Sequence, residues 1–344
     1  MKAVTYRGPQ ALSVEQVPDP KVQAATDVIV RVELAAICGS DLHVWHGRET
    51  GLDPGTIMGH EFIGAVVEAG AAVTRFRPGQ RVVSPFTTSC GTCFYCERGL
   101  TARCIQGELL GWVERGRGLH GAQAELVRVP LADSTLVHLP EELPARVAIL
   151  LGDVLATGYH SATLAGITRG STCAVVGCGP VGLLAVLAAR ELGAARVFAF
   201  DAVPERRALA ARFGAEVERS PEEVLEWAGG RGVDAVLEAV GSGDASALAF
   251  RLVRPGGTIA AVGVHHEAVF PFSPGQAYDK NLTYRIGRCP ARSYMERLLP
   301  FAVRHQSELS AIVSHEVELA QTPEAYRMFA ERRGGCIKVA LRPN

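Results

Sequence analysis

Short runs of β-branched and apolar residues, broken every few positions by Gly or Pro, dominate the first part of the chain. Val28–Leu34, Gly64–Gly70 and Gln80–Val83 are such runs, and each reads as a strand of a β-rich domain. Arg77-Pro78-Gly79 marks a sharp turn between two of them. Near residue 144 the period changes. Pro144 to Ala165 carries a helical pattern, and from Thr172 onward strand and helix alternate. Strands are predicted at Thr172–Val176, Arg196–Phe200, 233–237 and 257–262, separated by helices at 181–192, 204–213, 221–228 and 244–252. That order describes a parallel sheet covered by helices on both faces, a doubly wound α/β architecture. After Leu282–Gly287 the pattern relaxes into two or three helices and a final strand, Ile337–Leu341, in a segment expected to rejoin the first domain. The predicted organisation is therefore a β-rich domain over 1–153, a parallel α/β domain over 154–288 and a returning segment over 289–344.

Composition narrows the function classes. A chain of 344 residues with 48% apolar and 21% charged residues is globular and long for one core. The formal charge of -1 gives no basic excess to recommend nucleic acid or anionic lipid as a partner. The N-terminal residues lack the apolar core of a signal peptide, and no later run is a continuous membrane span, so a cytoplasmic location is expected. In that reducing compartment nine cysteines suggest ligands or buried thiols more than disulfides.

Three constellations carry chemistry. Cys90, Cys93, Cys96 and Cys104 have the spacing C-x2-C-x2-C-x7-C, which can wrap four thiolates around one tetrahedral metal or an iron-sulfur centre. Such a closed shell has no open position and would be structural. Gly177-Cys178-Gly179-Pro180-Val181-Gly182 follows a predicted strand and opens a predicted helix, with Asp201 about 20 residues on. There the glycines allow a pyrophosphate to rest on the helix N-terminus, and Asp201 would accept bonds from ribose hydroxyls while repelling a 2′-phosphate, favouring NAD over NADP. The third stretch runs from Cys38 through Ser40, Asp41 and His43 to His60 and Glu61. Cys38, His60 and Glu61 could bind a metal whose further ligand comes from elsewhere, with Asp153 the candidate.

Together, Cys38-Gly39-Ser40-Asp41-Leu42-His43, Gly59-His60-Glu61-Phe62-Ile63-Gly64, the Cys90–Cys104 lobe, Gly177–Gly182 and Arg254-Pro255-Gly256-Gly257 resemble the zinc-dependent medium-chain alcohol dehydrogenases over essentially the whole chain. The resemblance implies a GroES-like β-rich catalytic domain joined to a Rossmann doubly wound parallel sheet. It makes Cys38 and His60 ligands of a catalytic zinc, with Asp153 where many members have a cysteine, and Glu61 a fourth ligand or an outer carboxylate. It makes Ser40 and His43 the proton relay and Asp41 the carboxylate that orients His60. The four lobe cysteines then hold a second, structural zinc. Thr157, Val262 and Val264 fall near the nicotinamide, Arg206 over the adenine and Lys338 at the pyrophosphate. Phe86 and Trp112, with Trp45 nearby, fall where the family lines its alcohol pocket, which favours apolar or aromatic alcohols. The implied reaction is reversible oxidation of an alcohol with hydride transfer to NAD, in a cleft between the domains of a homotetramer; polyol, threonine and formaldehyde dehydrogenases share the same motifs.

Overall fold

Val28–Ile37 is the strand on which the first half of the molecule is built. Arg31 and Glu33 face solvent, but from Leu34 to Ile37 the strand is buried on both faces. In the computed structural model, which describes residues 1–217 and 219–343, three strands pair with it antiparallel: Glu61–Ala69, Leu126–Val129 and Val339–Arg342. The sheet continues outward through Arg81–Val83 and Val137–His138 on one side and His315–Glu318 on the other. Register decides what meets at its end. Ala36 opposes Glu61 and Ile37 opposes Val339, so Cys38, His60, Glu61 and Lys338 converge on one corner although up to 300 positions separate them in sequence. Phe62, Phe76, Leu136 and Tyr326 are among the side chains that fill the core beneath.

One strand begins earlier than the pattern predicts. Glu61–Ala69 runs through Gly64 instead of starting there. A Cβ at Gly64 would lie 2.1 Å from the Arg31 carbonyl oxygen, so this glycine marks a close backbone approach inside the strand and not its boundary. The hairpin Lys2–Gly8 with Ala11–Gln16 is a further pair that the pattern did not reveal.

The helical run near residue 150 is broken into pieces: Ala145–Ala148, a 3-10 turn Ile149–Gly152, and Val154–Leu164. The break is Asp153, at φ −145° and ψ −81°. Gly152 allows the kink, since a Cβ there would lie 2.1 Å from the Ser84 carbonyl oxygen. Among the described residues no single helix is long and apolar enough to cross a membrane; the two halves of this run pass together by length and composition, bent by 52°, but they are mostly buried.

Met1–Ala156 and the segment from Pro290 onward form one compact unit, and Thr157–Cys289 forms a second. The second unit holds five parallel strands in the order Arg196–Phe200, Thr172–Val176, Val233–Glu238, Val253–Ala261 and Thr283–Ile286. A parallel bridge from Phe198 to Glu216 extends this sheet beyond its first strand. Counting that bridge as the third strand in sequence gives the order 3-2-1-4-5-6, which places a ligand crevice where the winding reverses, at the carboxyl end of Thr172–Val176.

Candidate active site

At that carboxyl end the glycines have separate jobs. Gly177 has φ +90°, and a Cβ at Gly182 would lie 1.7 Å from the Gly177 carbonyl oxygen, so any side chain at Gly182 would prise the helix Pro180–Glu191 off the strand. Gly179 differs: a Cβ there would meet only Arg206 Nη1, at 3.8 Å. Protein packing does not demand a glycine at that point, and the open space suits a phosphate drawn to the helix N-terminus. Pro180 and Val181 begin the helix.

Asp201 follows the neighbouring strand. One carboxylate oxygen accepts the Cys178 N–H at 2.7 Å and the other the Val203 N–H at 2.8 Å, with Arg206 Nη1 at 3.9 Å. The acid is thereby tied to the glycine turn itself. Val262 donates to the Glu238 carbonyl at 2.9 Å, and Val264 lies against Gly241, whose φ is +79°. Glu238, fully buried, accepts the Val240 and Gly241 N–H groups, and His265 Nε2 stands 3.0 Å away. This Glu238–His265 pair braces the Val262–Val264 loop and has no motif that would reveal it. Thr157 is buried in the first turn of Val154–Leu164.

In the first unit Cys38, His60, Glu61 and Asp153 place one ligand atom each within 4.8 Å of one another. Cys38 Sγ is 3.3 Å from Asp153 Oδ2, and His60 Nε2 is 3.4 Å from the same oxygen. Asp153 reaches this point because its non-helical backbone turns it out of the helix axis. Ser40 Oγ is 3.4 Å from His60 Nε2, and His43 lies one turn on, in the short helix Asp41–Trp45. Asp41 spans both ligands, with Oδ1 3.3 Å from His60 Nδ1 and Oδ2 accepting the Cys38 N–H at 2.9 Å.

The electrostatics of this cluster suit a cation. Burial pushes the Cys38 thiol up to about 12, and the Asp153 and Glu61 carboxylates add to the effect. Burial alone would lower the His60 pKa, but Asp41, Cys38 and Asp153 hold it well above the usual range. Burial would raise Asp153, yet hydrogen bonding and the charge of His60 hold it below the usual carboxylate range. A divalent cation with mixed sulfur, nitrogen and oxygen donors removes the conflict, because it takes the place of the protons that the cluster otherwise attracts. The donor set fits zinc.

Lys338 corrects an expectation. The resemblance put it at the pyrophosphate, but it is wholly buried in the first unit, with Nζ 2.8 and 2.5 Å from the two Glu61 oxygens and 3.2 Å from the Ile37 carbonyl. Burial disfavours its charge, and Glu61 more than restores it. The register that seats Val339 opposite Ile37 leaves Lys338 pointing at the metal cluster, so its ammonium is committed to Glu61. Trp45 is also displaced from its expected role. It is 5% exposed, and its ring lies 5.6 Å from that of Tyr326, inside the core. Trp112 packs against a satellite cluster that includes Val4, Tyr6 and Met58. Phe86 does border the metal cluster, edge-on to the His60 ring at 6.3 Å.

The four lobe cysteines form a second group, with sulfurs within 4.8 Å of one another and no disulfide. Cys104 Sγ accepts N–H groups from Cys90 and Gln106 at 3.2 and 3.4 Å. Backbone hydrogen bonds from Ile105 and Cys96 bring Cys93 down to about 6, while burial raises Cys96 to about 12. Amides aimed at sulfur stabilise thiolates, which a metal requires.

Comparison with known proteins decides the family. Residues 24–141 match the family model of the alcohol dehydrogenase GroES-like domain, and residues 180–304 match that of the zinc-binding dehydrogenases. Zinc-type alcohol dehydrogenase B of Aspergillus flavus is 41% identical over 342 residues, 96% of this chain and 78% of that protein. The chain belongs to the zinc-dependent medium-chain alcohol dehydrogenases. Among solved structures, alcohol dehydrogenase TADH from Thermus sp. ATN1 superposes with a TM-score of 0.93 at 38% identity, covering 99% of each chain. The NADP-dependent isopropanol dehydrogenase of Thermoanaerobacter brockii is 37% identical over 302 residues, 84% of each chain. Membership of this family makes the protein an oxidoreductase that uses zinc and a nicotinamide dinucleotide.

Proposed function

We propose that the chain is an NAD-dependent zinc alcohol dehydrogenase that interconverts primary or secondary, apolar or aromatic alcohols with aldehydes or ketones. The observation that carries this reading is the Cys38–His60–Asp153 cluster with the Ser40 hydroxyl against it. A zinc ion held by those three residues, with Glu61 as a fourth ligand or an outer carboxylate, would supply a Lewis acid that lowers the pKa of an alcohol. Ser40 accepts the alcohol proton and His43 passes it toward solvent; Asp41 holds His60 in one orientation and tautomer. A nicotinamide dinucleotide would supply the hydride acceptor; Thr157, Val262 and Val264 would hold its nicotinamide, Gly177, Gly179, Pro180, Val181 and Gly182 its pyrophosphate, and Arg206 its adenine. Asp201 favours NAD: a 2′-phosphate would approach a carboxylate already oriented by two backbone N–H groups, although the Thermoanaerobacter relative is NADP-dependent. Phe86 beside His60 supports an apolar pocket. Cys90, Cys93, Cys96 and Cys104 hold a second, structural zinc, and the enzyme works as a cytoplasmic homotetramer.

Metal analysis with a panel of primary, secondary, aromatic, polyol and amino alcohols tests the proposal. Two zincs per chain and alcohol-dependent NAD reduction are expected, with Cys38→Ala losing one zinc and all turnover while still binding NADH. Retained turnover in Cys38→Ala would reject the catalytic assignment.

A further inference from the structure

We propose that His265, acting through the buried carboxylate of Glu238, is a positioning residue for the nicotinamide dinucleotide: it locks the turns that follow two strands of the parallel sheet and so sets cofactor affinity. The inference rests on the dinucleotide crevice described above and deepens it. Glu238 ends the strand Val233–Glu238 and has no measurable exposure. Its Oε1 accepts the Val240 and Gly241 N–H groups, each at 2.8 Å, which shapes the turn leaving its own strand. Its backbone carbonyl accepts the Val262 and Gly263 N–H groups at 2.9 and 3.3 Å, from the turn leaving the neighbouring strand Val253–Ala261. The second carboxylate oxygen, Oε2, reaches across to His265 Nε2 at 3.0 Å. A carboxylate oxygen accepts, so the imidazole donates. One side chain pair thereby ties a residue beyond the second turn to the strand that precedes the first.

The turns it ties lie directly on one another. A Cβ at Gly263 would be 2.1 Å from the Gly241 nitrogen, and one at Gly241 would be 2.2 Å from the Val264 carbonyl oxygen. On the other side Val240 covers the glycine turn, since a Cβ at Gly177 would be 2.3 Å from Val240 Cγ2. Three turns at the carboxyl ends of adjacent strands are thus stacked where a ligand crevice belongs. Val240 and Val264 are nevertheless 47% and 44% exposed. Side chains so exposed bury little apolar surface to hold their backbone, and the order of such a segment falls to its hydrogen bonds. Glu238, deprived of His265, would keep the cost of its burial with one oxygen unpaired, so this bond has much to lose. The outer link is different. His265 Nδ1 stands 3.4 Å from Glu267 Oε2, but that carboxylate is 38% exposed and such a pair contributes little.

Titration of the zinc-loaded enzyme with NADH and with NADPH, followed by nicotinamide fluorescence, tests this. A cofactor that binds only the locked arrangement loses affinity in proportion to the time that arrangement is lost, so His265→Leu is expected to weaken the tighter of the two by about tenfold. The KM for the oxidised cofactor should rise with it, while zinc content and the KM for the alcohol stay as in wild type. His265→Gln keeps a donor of similar reach and should restore most of the affinity; Glu267→Gln should lie close to wild type. An unchanged dissociation constant in His265→Leu would overturn the inference. So would a His265→Gln no better than His265→Leu, a Glu267→Gln as weak as His265→Leu, or a loss shared equally with the alcohol and with zinc. If His265→Leu does not accumulate, Glu238→Gln with His265→Leu takes its place: it removes the unpaired buried charge, keeps an acceptor for the two N–H groups and still lacks the cross-link. The same weakening is expected there, and wild-type affinity would overturn the inference. Wild-type enzyme that binds neither NADH nor NADPH would defeat the dinucleotide reading, and this inference with it.

Discussion

Glu61 and Lys338 are both wholly buried, with nitrogen and oxygen 2.5 Å apart, so each is the other's direct charge partner, with His60 also beside Glu61 and Cys38 and Asp153 also beside Lys338. Removing one partner leaves an uncompensated interior charge, a change that costs about 3–5 kcal/mol, whereas removing both with apolar groups of similar size is often neutral. Lys338→Met is therefore expected to lower stability by about that much, and Glu61→Leu with Lys338→Met to recover most of it, as read by urea unfolding of the metal-free protein. A double variant no better than the single would show that the pair is not the source of the loss. Asp201 is a second residue whose chemistry can be isolated. Asp201→Gly removes the repulsion of a 2′-phosphate and should lower the NAD to NADP ratio of kcat/KM by about tenfold or more, the equivalent of roughly 1.4 kcal/mol. It also strips acceptors from the Cys178 and Val203 N–H groups, so some loss of NAD affinity accompanies the switch. An unchanged ratio removes Asp201 from the ribose.

At the scale of elements, the cysteine lobe depends on what props it. Asp133, in the helix Ala132–Thr135, accepts the Thr74 N–H and hydroxyl and the Arg75 N–H, while Thr135 and Ser134 from the same helix tie down Ser89 beside Cys90. From the returning segment, Ser293 donates to the Gly99 carbonyl at 2.8 Å and Arg292 to the Ser134 carbonyl at 2.9 Å. Burial would raise the Asp133 pKa, but the hydrogen bonds from Thr74 and Arg75 outweigh it and lower it. A lowered folded pKa means that its stabilisation is present above the unfolded aspartate value, about 3.9, and is lost as pH falls through the lower folded value. Asp133→Asn should accordingly be less stable than wild type at neutral pH, with the gap in thermal midpoint closing in strong acid; a gap that persists there would mean that charge is not its origin. Cys93→Ser should lose one zinc and thermal stability before it loses turnover per folded molecule. A stable but inactive variant would give the lobe a part in catalysis.

Across the whole molecule the chain closes on itself: the strand Val339–Arg342 pairs with Val28–Ile37 and carries Lys338 into the metal corner. Truncation before Lys338 should therefore leave Glu61 unpaired and a central strand with a bare edge, and abolish metal retention together with folding of the first unit, as followed by circular dichroism and metal analysis. A folded, zinc-loaded truncation would refute that closure. Much of this architecture was legible from local pattern. Thr172–Val176 and Arg196–Phe200 are the strands that their apolar runs predict, the turn Gly177–Gly182 is named by its spacing, and the two side-chain groups that could hold a metal are made of residues the sequence reading singled out. Local sequence reports these because backbone approach, strand period and ligand spacing act over a few residues. It is silent where the deciding contact is long-range. Whether Lys338 meets a phosphate or a carboxylate depends on the register of Val339 against Ile37. Whether Trp45 lines a pocket or the core depends on Tyr326 arriving from the other end of the chain. Asp153 needs a break in a run that reads as helical throughout. Such choices follow from which surfaces the fold buries against each other, and burial, unlike spacing, exists only once the chain has folded.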